Sequence, residues 1–245
     1  MKPLLETLRS VLLWTLAFPV FALSCLAILL TALFTRGRAL EPVIKTGCRA
    51  VLFCAGVRVR LHGRENFDPA RQYLVMMNHV SLLDPLVFYA RFPGRARTVE
   101  EERHFRWPLY GPMLRRIGQI PLDRSNPRKA RESLARAAEF IRTRKDFSFI
   151  VFPEGTRTRD GKLGPFKRGG FLLAAEAGLD ILPVVQTGAY RIMRKGSKRL
   201  RPGRIDCYLE PAVAADGSSR RDIAGWMDRV RRVIEGRLDG AGILA

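Results

Sequence analysis

Three features of the sequence predict an α/β fold with a central mixed, largely covered sheet flanked by helices, preceded by an N-terminal two-helix membrane motif. Short apolar runs alternate with longer segments whose apolar residues recur at helical spacing, the pattern of a sheet covered by helices. No charged residue lies between Ser10 and Thr35, a stretch longer than the about 20 residues that cross a bilayer as a helix. Lys and Arg outnumber Asp and Glu by 43 to 23, a formal charge of +20 on 245 residues.

Leu, Val, Ile, Phe and Trp14 fill the first apolar stretch, with Pro19 as a kink position. It is longer than the roughly 7–15 residue core of a cleaved signal, and no small-x-small cleavage site ends it before Arg36. Arg36, Arg38, Lys45 and Arg49 follow it, whereas only Lys2 and Arg9 precede it. The heavier basic flank predicts a main domain on the cytoplasmic face of an inner membrane or its equivalent. From Pro42 to Val57, Val43, Ile44, Gly47, Ala50, Val51 and Cys54 recur at helical spacing, with Lys45 and Arg49 off that face. This stretch is short for a span and predicts an interfacial or re-entrant helix paired with the first. The expected organisation is thus 1–56 as membrane-associated helices and 57–245 as one α/β domain, a size that buries a substantial core.

In that domain, Val57 to His62 alternates apolar with basic residues, as a half-exposed strand does. Tyr73 to Met77 is a short apolar run and predicts a buried strand, followed by a helix from Pro85. A strand is expected near Ala96 to Glu100, then a solvated acidic patch at Glu101-Glu102. Phe105 to Gly111 is aromatic-rich and suits core burial or an apolar wall. A short helix over Met113–Ile117, a strand over Gly118–Leu122 and a helix from Pro127 to about Lys145 follow. Asp146 to Phe152 is the next buried strand. Residues 166–177 form a helix stopped by Gly178, and 180–186 a strand. The basic stretch Arg191 to Arg204 is expected to be a mobile loop against anionic lipid or donor phosphates. Ile205 to Leu209 alternates as a last strand, and Ser218 to Leu238 closes the chain as an amphipathic helix.

Charge and cysteine usage exclude some classes. A strong basic excess fits nucleic acid, an anionic membrane or an anionic substrate. No helix-turn-helix, zinc-knuckle or RNA-binding signature accompanies it, so no nucleic-acid partner is expected, and anionic headgroups are the simpler one. Cys25, Cys48, Cys54 and Cys207 form no CxxC pair, and His62, His79 and His104 lie far apart. Reduced thiols and no metal site are expected.

The chemistry-bearing stretch is Asn78-His79-Val80-Ser81-Leu82-Leu83-Asp84-Pro85. It lies on a strand-to-helix turn, where rigid neighbours can aim loop residues into a cleft. A neutral imidazole at His79 accepts a proton from a hydroxyl near neutral pH, and Asp84 on its other nitrogen would orient it. A substrate that brings its own hydroxyl needs no protein nucleophile. The competing reading makes Asp84 the N-cap before Pro85, with Ser81-x-x-Asp84 resembling a capping box. A second stretch, Pro153-Glu154-Gly155-Thr156-Arg157, leaves a strand end with a carboxylate, a glycine and an arginine fork. That set suits an anionic ligand, or a plain turn with a surface ion pair. The amides opening the helix after Phe166-Lys167 offer either a phosphate cradle or an ordinary helix start.

Together NHxSxxD at 78–84 and FPEGTR at 152–157 resemble the 1-acylglycerol-3-phosphate acyltransferase family. Gly118-Gln119-Ile120-Pro121-Leu122-Asp123-Arg124 is similar to the family's block between those two, and Ile181-Leu182-Pro183-Val184 to its last block. Phe166 to Gly170 is similar to the segment after FPEGTR. The resemblance covers roughly 57–211, and four blocks in order make it specific. Gln119-Ile120-Pro121 departs from the bulkier residues common in the family, which bears on acceptor identity.

The resemblance implies acyl transfer from acyl-CoA or acyl carrier protein to the free hydroxyl of a lyso-phospholipid acceptor, without a further cofactor. It implies His79 and Asp84 as the catalytic pair. Arg124, Glu154, Gly155, Thr156, Arg157 and Lys167 would form the acceptor site. Other readings are a lyso-ornithine-lipid acceptor, a hydrolase using Ser81, and a non-catalytic basic membrane-binding protein.

Overall fold

The structure is a computed structural model that describes residues 2–35, 37–215 and 222–240. Arg36 of the expected basic flank and residues 218–221 of the expected closing helix lie outside the described residues. The elements, in chain order, are α1 (Lys2–Phe34), α2 (Glu41–Cys54), β1 (Val57–His62), β2 (Tyr73–Met77), α3 (Asp84–Arg91), β3 (Ala96–Glu101), α4 (Tyr110–Ile117) and β4 (Ile120–Leu122). They continue with α5 (Pro127–Thr143), β5 (Ser148–Val151), α6 (Arg168–Ala177), β6 (Asp180–Thr187), α7 (Ala189–Ile192), β7 (Gly203–Leu209) and α8 (Ile223–Gly240).

Among the described residues, seven strands form one sheet in the order β1-β7-β6-β2-β5-β3-β4. The pairing is parallel except between β6 and β7, so β1 and β7 run against the other five. The sheet is therefore mixed, and both its faces are covered. Strand β2 shows why its sequence is apolar at every position. Side chains alternate across a strand, so Tyr73, Val75 and Met77 enter the core beneath α1 to α4, while Leu74 and Met76 enter the one beneath α5, α6 and α8. All five are essentially inaccessible to solvent.

Helix α1 has 33 residues, about 50 Å at 1.5 Å per residue, and runs through Pro19. It is long and apolar enough to cross a membrane. Ser10, Ala17, Cys25, Ile28 and Ala32 make one buried stripe, while Leu5, Leu8, Leu12, Leu23 and Leu33 stand exposed on the other faces. Contacts with the rest of the chain run along its whole length, from Glu6 and Trp14 to Leu33. Helix α2 has 14 residues, about 21 Å, too short for a hydrocarbon layer of about 30 Å. It lies close on α1 because Gly47 has no side chain: a Cβ there would sit 2.9 Å from Ser24 Cβ.

Lys45 and Arg49, expected off the apolar stripe, reach the C-terminal end of α3. Lys45 Nζ donates to the Phe92 and Gly94 carbonyls at 3.0 and 2.8 Å, and Arg49 Nε to Ala90 O at 2.9 Å. Cations there satisfy orphan carbonyls and oppose the helix dipole. Glu41 Oε1 accepts from Arg97 Nη1 at 2.6 Å, both side chains buried, with the guanidinium over the Phe147 ring. Removing one partner of such a buried pair costs about 3–5 kcal/mol. Residues on both sides of position 56 thus share one core. Deleting 1–56 is expected to yield aggregated protein, checked by recovery in the soluble fraction and far-UV circular dichroism. A soluble, folded 57–245 fragment would show instead that the two parts stand independently.

The basic stretch 191–204 differs from the mobile loop expected. Ile192, Met193 and Leu200 are buried. Arg201 N donates to Ile192 O at 3.0 Å, Leu200 N to Ser10 Oγ at 2.8 Å and Trp14 Nε1 to Lys198 O at 2.8 Å. Three apolar anchors among the charges hold it against α1. In the acidic patch Glu101 pairs with Arg103 and both side chains stay exposed, the solvated surface expected, while Glu100 just before it pairs with His104.

Candidate active site

Strands β2 and β5 are parallel neighbours, Leu74 opposite Phe149, so the loops that leave their C-terminal ends emerge side by side. The first loop carries His79 and Asp84, and the second carries Glu154 to Arg157. Strand β4 ends at the same edge and delivers Arg124. Parallel pairing thus gathers three sequence blocks that are distant along the chain.

Asp84 is fully buried at the first position of α3, after an N-cap at Leu83 that makes no side-chain bond. It does not cap its own helix, contrary to the competing sequence reading. Its Oδ2 accepts from His79 Nδ1 at 2.8 Å, Val80 N at 2.8 Å and Ser81 N at 2.9 Å. An oxygen that already accepts two amide hydrogens requires Nδ1 to donate, which leaves the lone pair of neutral His79 on Nε2. The imidazole stacks on Phe152 with ring centroids 3.9 Å apart, and 19 % of its side chain remains exposed. No described residue hydrogen-bonds Nε2. The ring is fixed in tautomer and plane, with its basic edge open.

Glu154 is 4 % exposed, and both its oxygens are occupied. Oε1 accepts from His79 N at 2.6 Å and Oε2 from Gly164 N at 2.8 Å. Burial pushes its carboxyl above the usual glutamate range, against the two amide bonds that favour the ionised form. Glu154 therefore shapes the site by clamping the loop of His79 to the loop at 164. Thr158 N adds a bond to His79 O at 2.9 Å.

Gly155 has φ +68°, and a Cβ there would lie 2.9 Å from Lys167 Cδ. The lysine stem thus lies across a backbone that only glycine suits. Arg124 Nη1 donates to Gly155 O at 2.9 Å, and Lys195 Nζ to Thr156 Oγ1 at 2.7 Å. Arg157 is half-buried, and its guanidinium makes no hydrogen bond or ion pair with another described residue. Arg124, Arg157, Lys167 and Lys195 surround one short loop, a cationic setting for a phosphate.

Three contributors escaped the sequence reading. Lys195 was hidden among other basic residues. Phe152 opens the FPEGTR stretch, but its stacking under the His79 ring is not readable from the sequence. Gln186 lies on β6, and its N–H donates to Asn78 Oδ1 at 2.7 Å while Asn78 Nδ2 donates to Gln186 O at 3.0 Å. Its side chain reaches Asp84 O at 3.3 Å. Ser81 is fully buried, with its hydroxyl accepting from Leu83 N at 3.3 Å, so it presents no accessible nucleophile. In the departure at 119–121, Gln119 is buried and bonded to Thr98 N and Tyr89 and Ile120 is buried, while Pro121 is exposed.

Residues 58–187 match the Acyltransferase family model. The chain is 31% identical over 221 residues to a Bos taurus protein named 1-acyl-sn-glycerol-3-phosphate acyltransferase alpha, covering 89% of this chain and 74% of that one. It is 35% identical over 166 residues to a Limnanthes douglasii 1-acyl-sn-glycerol-3-phosphate acyltransferase, covering 68% and 58% respectively. The fold is similar to the crystal structure of the 1-acyl-sn-glycerophosphate acyltransferase of Thermotoga maritima, with TM-score 0.83 at 23% identity over 99% of this chain and 98% of that one. With the family model spanning more than half of its length and a relative above 30% identity matched over most of both chains, the chain belongs to the 1-acyl-sn-glycerol-3-phosphate acyltransferase family.

Proposed function

We propose that the protein moves a fatty acyl group from a thioester donor, acyl-CoA or acyl carrier protein, to the free hydroxyl of 1-acylglycerol-3-phosphate, giving phosphatidic acid. The observation that carries this reading is the His79–Asp84 contact at 2.8 Å with the opposite imidazole edge open. His79 Nε2 takes the hydroxyl proton as the oxygen attacks the thioester carbonyl carbon. The tetrahedral adduct collapses, the C–S bond breaks, and the thiolate recovers the proton from the imidazolium. Asp84 holds the tautomer and stabilises that imidazolium. The acceptor supplies the nucleophile, which agrees with a site whose nearest serine is buried.

Arg157, Arg124 and Lys167 hold the acceptor phosphate, with Gly155 and Thr156 shaping the loop. Arg157→Ala is expected to raise the acceptor KM about 10- to 100-fold, the size of one charge-assisted hydrogen bond at ~1.5–3 kcal/mol, with kcat little changed. Steady-state kinetics on lyso-acceptors checks this, and an unchanged acceptor KM would remove Arg157 from the phosphate site.

The same reading places the protein at a membrane. Helix α1 exposes leucines along its length while touching the domain from end to end, which suits immersion along the bilayer face and an α/β domain on the cytoplasmic side. Labelled acyl thioester added to membranes with a panel of lyso-lipids tests the activity directly. Transfer to 1-acylglycerol-3-phosphate supports it, and product confined to another lyso-lipid would move the assignment to that acceptor.

A further inference from the structure

Outside the His79 and Glu154 loops, the 191–201 segment forms a pocket of about 350 Å³ lined largely by cations. Arg191, Arg194, Lys198, Arg199 and Arg201 line it. Glu6 pairs with Arg199 and Arg201 at 3.5 and 3.2 Å. Arg191, Arg194 and Lys198 have no carboxylate partner among the described residues and are exposed. Cations gathered this closely repel one another unless an anion joins them. They cannot simply spread into solvent, because Ile192 and Leu200 are buried on either side and Trp14 and Ser10 fasten the backbone to α1. Lys195 reaches Thr156, and the Arg194 backbone bridges to Ser81, so the pocket adjoins both reaction loops while its cations are carried by the 191–201 segment.

The chemistry that fits is a phosphate. Its source is indicated by the neighbouring helix. The half of α1 that grips the segment exposes Leu4, Leu5, Leu8, Val11 and Leu12, at 57–69 % of their surfaces. Polar anchors and apolar side chains on one helix set the pocket at the boundary between headgroups and acyl chains. We propose that this pocket holds the phosphate of an anionic phospholipid of the bilayer, a lipid that is not the reacting acceptor. The inference rests on the proposed function only in setting the protein on a bilayer.

The test uses the full chain in neutral maltoside micelles, titrated with dihexanoyl phosphatidylglycerol or dihexanoyl phosphatidylcholine and followed by calorimetry. The parent protein is expected to prefer the anionic lipid about tenfold or more at low salt. Each cation removed is expected to weaken its binding about fivefold, so Arg191→Gln/Arg194→Gln/Lys198→Gln should abolish the preference, and Lys198→Gln alone should reduce it about fivefold. Lys198 is exposed, so the single variant keeps the test available if the triple one fails to fold. Arg157→Ala, which alters the acceptor site, should leave the preference intact. A preference that survives the substitutions overturns the proposal. Displacement of the lipid by adenosine 3′,5′-bisphosphate also overturns it, because the phosphate would then be that of a soluble donor. A protein without acyl transfer that still shows the preference would end the proposed function and leave this pocket standing.

Discussion

Replacing His79 with alanine is expected to lower kcat about 10²- to 10⁴-fold, the range for loss of a general base. Acceptor affinity should hold, because the cations proposed to hold the acceptor phosphate are carried by the neighbouring loops. His79→Ala is the cleaner test of the pair. Asp84 Oδ2 also holds the Val80 and Ser81 amides, so Asp84→Ala would disturb the turn as well as the ring. Initial rates with a saturating thioester donor, together with equilibrium binding of the lyso-acceptor, separate the two effects. Near-normal turnover in His79→Ala would refute the mechanism.

The second large effect is expected at a residue that has no open edge toward substrate. In Glu154→Gln only one side-chain atom remains an acceptor, while two backbone N–H groups, from His79 and Gly164, need one each. The amide NH₂ would face a donor, and that clash pushes the His79 backbone aside. A displacement of about 1 Å at a reacting group costs on the order of 10² in rate, so turnover is expected to fall roughly 100-fold in Glu154→Gln and equally in Glu154→Ala.

Stability should respond less. Burial raises the Glu154 carboxyl in the folded state, so its contribution favours the fold below its unfolded value and is lost as pH rises through the folded one. At neutral pH, removing the charge relieves that cost and offsets part of the roughly 1–3 kcal/mol penalty of a buried unpaired donor. Urea titration alongside kinetics decides the matter. Full activity in Glu154→Gln would show that the carboxylate clamp is not needed.

Much of this was legible in the sequence because it was written in period and punctuation. The unbroken apolar run 73–77 announces a strand buried on both faces, and Pro85 announces the helix that follows. The two loop motifs are contiguous, so their residues could be named before any geometry was known. What the sequence did not disclose depends on pairing between distant segments. Asp84 looks like a helix cap until the chain turn shows Oδ2 bonded backwards to Val80, Ser81 and His79. Glu154 looks like a headgroup ligand until two amides, one of them ten residues downstream, occupy it. Lys45 and Arg49 show no partner in the sequence because the carbonyls at the end of α3 that they serve lie more than 40 residues away. In the 191–204 segment the density of charge masked the few apolar residues that anchor it.

The two strands that run backwards in the sheet have a further consequence. Strand β1 has six residues, so it measures about 20 Å at 3.3 Å per residue. Because it runs against β2, the point where α2 hands the chain to β1 lies at the end of the sheet where β2 and β5 stop. Had all strands run the same way, that hand-over would sit a full strand length below the imidazole, beyond the span of a glycerol phosphate. With the reversal, and on the proposed reading of a bilayer acceptor, a molecule still embedded by its tail would offer its alcohol to His79 without first being lifted free.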